Sequence, residues 1–192
     1  MKAVRELPIG YKEIFSVNLQ KDKKIAIIIN AVAILIGVLM AVPMNFYIPI
    51  TTLFDFSQGV KNYFARFIVL MLSMIAYLIL HEAVHGVAMK ICGTKKVKYG
   101  FTGLYAYAGS DDFYGKKSYI FIALAPVVLW GVVLAVINCF VSANWFWVVY
   151  FIQISNISGA AGDFYVTAKF SKMPDDILVQ DCGVGMTVYS AE

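Results

Sequence analysis

The sequence predicts an all-α polytopic membrane protein, with four transmembrane helices and a small cytoplasmic β-hairpin between the second and the third. Three observations carry that expectation. Of 192 residues, 60% are hydrophobic and 15% charged, and the mean hydropathy is +0.74. A soluble domain carries roughly 45–50% apolar and about 25% charged residues, so lipid is part of this chain's solvent. Four runs are long enough and poor enough in charge to cross a bilayer, which takes about 20 apolar residues. The basic residues cluster in alternate segments between those runs, as the positive-inside rule requires.

Residues 1–24 are mixed and charged and hold no apolar stretch of signal-peptide type, so the first apolar run is expected to be an uncleaved membrane helix. That run, 25–50, has no charged residue, and Pro43 and Pro49 shape its outer end. The second span, 67–89, has one acidic residue, Glu82. The third is 118–140, with Pro126 as a kink. The fourth is 143–168, and its one charge is Asp163. Trp145, Trp147 and Tyr150 near its start suit an interfacial aromatic belt. Between the second and third spans, Val97-Lys98-Tyr99-Gly100-Phe101 and Leu104-Tyr105-Ala106-Tyr107 are β-prone and flank a Thr102-Gly103 turn, which predicts the hairpin.

Six basic residues precede the first span and six lie between Lys90 and Lys117, while the segment 51–66 offers Lys61 and Arg66 and the link 141–144 none. Both termini and the middle loop are therefore expected in the cytoplasm of a multi-pass cell-membrane protein. The organisation is read as one membrane-embedded domain, 1–192, with a cytoplasmic segment 1–24, a four-span core 25–168 and a cytoplasmic tail 169–192. The net charge of +4, with no basic tract interleaved with aromatics, speaks against a nucleic-acid partner. Cys92, Cys139 and Cys182 are far apart and form no CxxC, which excludes a structural zinc cluster and a disulfide framework and leaves three free thiols.

The chemistry concentrates in His81-Glu82-Ala83-Val84-His85, an H-E-x-x-H pattern. Residues i and i+4 share a helix face, so both imidazoles can point at one metal ion, and a glutamate beside the first ligand can serve as general base. His81 and His85 are the two histidines of the chain, and ionisable groups inside a membrane-length run default to a functional reading. Catalytic zinc takes three protein ligands and keeps one position open, so a carboxylate must supply the third. Asp163 leads, because it is the other acid within a span and lies at similar depth. Asp111, Asp112 and Glu13 are its rivals. Gly159 and Gly162 would let helices approach closely. Asn156, two turns before Asp163, is a candidate to steady an oxyanion, or equally an interhelical hydrogen-bonding residue. The hairpin, with Tyr99, Phe101, Tyr105 and Tyr107, can present an edge for an extended substrate or anchor at the interface.

With these residues in view, the chain resembles a bacterial family of membrane-bound zincin peptidases. The resemblance runs through Leu7-Pro8-Ile9-Gly10-Tyr11, His81-Glu82-Ala83-Val84-His85-Gly86, Lys98-Tyr99-Gly100-Phe101, Leu124-Ala125-Pro126 and Gly162-Asp163. In plan it is also similar to the site-2 intramembrane proteases, although the proline and the Leu-Asp-Gly that those enzymes place around their aspartate are missing from Asn156 to Phe164. The resemblance implies His81, His85 and Asp163 as zinc ligands and Glu82 as the catalytic acid/base. The function expected is zinc-dependent hydrolysis of a peptide or membrane-protein substrate near the cytoplasmic face. The alternative is a non-catalytic membrane protein with a structural or transport-related metal site.

Overall fold

The computed structural model describes residues 3–18, 21–103 and 105–191. Lys2, counted among the N-terminal basic residues, and Leu104, placed in the second hairpin strand, lie outside them. Among the described residues three helices are long and apolar enough to cross a membrane, which marks a membrane protein: α1 (Lys23–Tyr47), α2 (Val60–Ile91) and α3 (Lys116–Phe140). Then come α4 (Ala143–Gly159) and α5 (Ala161–Ser171). The stretch expected as a single fourth span is thus two helices. They part at Ala160 (φ −77°, ψ 11°), where Gly159 and Gly162 flank the break and weaken helix by about 1 kcal/mol each relative to alanine.

The all-α expectation also needs correction. Among the described residues six strands form two sheets. Strands β1 (Lys12–Val17), β4 (Phe113–Gly115), β5 (Leu178–Asp181) and β6 (Met186–Ser190) make an antiparallel sheet in the order β1-β6-β5-β4. Strands β2 (Lys98–Phe101) and β3 (Ala106–Gly109) pair separately and antiparallel, with Tyr99 opposite Ala108. The larger sheet joins the N-terminal segment, the middle loop and the tail, and its strands are three to six residues long.

The chain divides into two compact units. The first comprises Met1–Ile29, His81–Pro126 and Gly162–Glu192. Its core is one cluster of helix and sheet residues. Ala88 and Met89 come from α2 and Cys92 from the turn directly after it, Tyr119, Ile122 and Ala123 from α3, Val166 and Phe170 from α5, and Val179 and Val188 from the sheet. The three- and four-residue spacings put each helical set on one face. Phe15 of β1 meets the Phe170 ring edge-on at 6.3 Å, and the Lys169 ammonium sits 5.1 Å above the Phe15 ring.

The second unit comprises Asn30–Leu80 and Val127–Ala161. A 3-10 turn, Ile50–Phe54, places Leu53 in a cluster with Phe146, Trp147 and Val148 of α4. The Trp147 indole donates to the Ile48 carbonyl at 2.9 Å, and Arg66 donates to the Asp55 carbonyl. Asn156 is fully buried here. Its amide nitrogen donates to the Val127 carbonyl at 3.1 Å, and its oxygen accepts from the Tyr77 hydroxyl at 3.0 Å. These bonds tie α4 to α2 and α3, the interhelical role named as the second reading of this residue.

Candidate metal centre

His81 and His85 stand one turn apart on α2, with ring centroids 4.9 Å apart and planes at 76°. Asp163 lies in the first turn of α5. The helix break at Ala160 therefore does more than interrupt a span: it gives the carboxylate a helix N-terminus, where unpaired N–H groups and the helix dipole favour negative charge. One carboxylate oxygen is 3.8 Å from His81 Nε2 and the other is 3.8 Å from His85 Nε2. Those distances are too long for hydrogen bonds.

They suit a shared cation instead. Two ligand atoms at about 2.0–2.1 Å from a tetrahedral zinc are roughly 3.4 Å apart. One ligand atom from each of His81, His85 and Asp163 lies within 4.8 Å of the others. Two imidazoles and a carboxylate are also the donor types that zinc prefers. The His85 tautomer fits. Its Nδ1 lies 2.9 Å from the Ile122 carbonyl, and a carbonyl only accepts. The proton is therefore on Nδ1, and the Nε2 lone pair is left toward Asp163. Of the rival carboxylates, Asp111 pairs with Lys98 at 2.6 Å and is largely exposed. Glu13 stands opposite Tyr189 in the sheet. Among the described residues the grouping contains neither of these nor Asp112.

Glu82 follows the first histidine and is partly buried. The Ala108 backbone N–H of β3 hydrogen-bonds its carboxylate, and His85, His81 and Asp163 are close enough to act on its charge. The hairpin strands thus reach the motif helix at two points, because the Tyr99 hydroxyl also lies against Gly86.

A family model described as "Putative zincin peptidase" matches residues 74–178, a stretch that includes both histidines, Glu82 and Asp163. The chain belongs to this family. The zincin peptidase description implies zinc, in keeping with the donor set above. A curated relative, the "Uncharacterized 24.7 kDa protein in gap 5'region" of Pyrococcus woesei, is 33% identical over 122 residues, which is 61% of this chain and 53% of that protein. The chain therefore spans about half the length of the curated relative it matches. No solved structure matches.

Two groups beside these side chains have no signature in the sequence, because both belong to the backbone: the Ile122 carbonyl and the Ala108 N–H. Gly86 does have one. A Cβ there would fall 1.9 Å from the Tyr99 hydroxyl oxygen, so glycine directly after the second histidine lets the hairpin close on the helix. Tyr99 is 55% exposed, and its ring can swing away. Gly86→Ala is therefore expected to fold but to loosen the hairpin, at roughly 1–3 kcal/mol of overpacking. Faster amide hydrogen exchange across 98–109 would report it. Gly86→Ala/Tyr99→Ala should recover most of the thermal midpoint lost by Gly86→Ala alone; a purely additive double variant would show that Tyr99 is not the obstacle.

Proposed function

We propose that the chain is a zinc-dependent, membrane-embedded endopeptidase that cuts peptide bonds near the cytoplasmic face, with His81, His85 and Asp163 as metal ligands and Glu82 as the acid/base. The observation that carries this reading is the convergence of two imidazoles and a carboxylate at 3.8 Å spacing beside a glutamate. When bound, zinc supplies Lewis acidity, lowering the pKa of a coordinated water and polarising the scissile carbonyl. Three protein ligands leave the fourth position open for that purpose.

The chain's own residues do the rest. The Ile122 carbonyl keeps the His85 ring in the tautomer that can ligate. The Ala108 N–H faces the Glu82 carboxylate from β3. Glu82 takes a proton from the attacking water and delivers it to the leaving amine. Asn156 enters as a helix-bridging residue, since both ends of its amide are hydrogen-bonded and service to an oxyanion would require releasing one of them.

The membrane arrangement proposed is four crossings, α1, α2, α3 and the stretch 143–168, with both termini cytoplasmic. The alternation of basic segments supports it. The partners are the bilayer and a peptide or membrane-protein substrate. The test is cleavage of peptide pools by detergent-solubilised protein. Activity is expected to vanish on stripping with a chelator and to return with zinc. Activity indifferent to chelation would remove the metal from the reaction, and a protein that binds zinc but cleaves nothing would favour a structural or transport-related metal site.

A further inference from the structure

We propose that the hydrogen bond between Tyr119 and Asp181 is a positioning device for the metal centre, holding α3 and α5 so that His85 and Asp163 converge. The inference rests on the reading of His81, His85 and Asp163 as zinc ligands. Asp181 lies outside the residues that the family model matches, and nothing in the H-E-x-x-H chemistry calls for it.

The bond is short and internal. The Tyr119 hydroxyl donates to Asp181 Oδ2 at 2.6 Å, and the other oxygen, Oδ1, accepts the Gly183 N–H at 2.8 Å. Gly183 has φ +87°, which lets the chain turn back so that its own N–H meets the carboxylate. The Asp181 carbonyl accepts from the Ser110 N–H at 2.7 Å. Asp181 is thus held through its carboxylate by helix and turn, and through its carbonyl by the residue that follows β3.

From Tyr119 the contacts lead to two of the three ligands. Ile122, one turn further along α3, offers the carbonyl that fixes His85 Nδ1. The Tyr119 ring also packs on Phe170 at 5.4 Å. Phe170 is two turns beyond Asp163 on α5, close to the same face. A shift of Tyr119 therefore moves the anchor of one ligand and the helix that carries another.

Charge points the same way. Asp181 has no lysine or arginine ion pair among the described residues, and His85 and Asp163 are among the groups whose charge it feels. Burial pushes its carboxyl up, against the pull of the Tyr119 and Gly183 hydrogen bonds. A filler role would be met by an apolar pair at lower cost.

The experiment measures zinc affinity of the full chain in detergent by competition with a chelating dye, and the visible spectrum of the cobalt-substituted protein, well below the thermal midpoint. Tyr119→Phe and Asp181→Asn are each expected to weaken zinc binding about tenfold or more, in the range found for partners of metal ligands, and to shift the cobalt bands. Ser190→Ala removes the hydrogen bond from the buried Ser190 hydroxyl to Asp176 in the same unit. It should lower the thermal midpoint and leave both readouts unchanged. His81→Ala should abolish binding. If Tyr119→Phe and Asp181→Asn bind zinc within twofold of wild type with unchanged cobalt bands, while His81→Ala does not bind, the positioning role is overturned and the metal reading stands. Wild type without zinc affinity, or His81→Ala that binds normally, overturns both.

Discussion

Glu82→Gln is expected to retain zinc at the wild-type level and to lose peptide cleavage by at least about a hundredfold. Glutamine has nearly the same shape, and its carbonyl oxygen can still accept the Ala108 N–H. What it cannot do is accept a proton from water and pass it on, a contribution worth about 10²–10⁴-fold. Elemental analysis for zinc and a peptide-cleavage assay on the same preparation separate the two effects. A variant that loses zinc together with activity would make Glu82 a structural part of the centre. Unimpaired cleavage would remove it from the reaction altogether.

The second large effect is expected at Asp163. Partners of ligands cost about 10–100-fold in metal affinity when removed, so loss of a ligand itself in Asp163→Asn should exceed about a hundredfold. The amide keeps the volume but loses the charge that offsets the cation. Asp111→Asn is the matched comparison, because Asp111 was a rival for the same role. It is exposed and occupied by Lys98, and its removal should leave zinc affinity where it was. A dye-competition titration of the two variants decides between them; equal affinities in Asp163→Asn and wild type would return the third ligand to the other carboxylates.

The local parts of this molecule were readable in advance, and the non-local parts were not. Ile25 to Tyr47 and the third helix announce themselves by length and apolarity, which need no partner to be recognised. His81, Glu82 and His85 are legible because their spacing encodes a single helix face. The tie to Asp163 could be argued from its isolation as a charge in an apolar run. The break at Ala160 escaped notice because Gly159 and Gly162 also read as a close-packing motif. The larger sheet was missed for a physical reason: strands such as Phe113–Gly115 are too short to show a period of two. Lys12 to Val17 mixes charged and apolar residues until its partner supplies the buried face. Tyr119 and Asp181 lie 62 positions apart, and no spacing rule connects them.

The pairing of β1 with β6 also sets a timetable. Its partners are 169 to 178 positions apart, from Val17 with Met186 to Lys12 with Ser190. At a ribosomal pace of about 5–20 residues per second, the first strand waits roughly 10 to 35 s for the last. During that interval the motif of α2 is made well before Asp163 and Asp181 exist. Each newly made copy therefore passes its early life with His81 and His85 in place and the carboxylate of Asp163 still to come, and the grouping closes only once α5 and the tail are made.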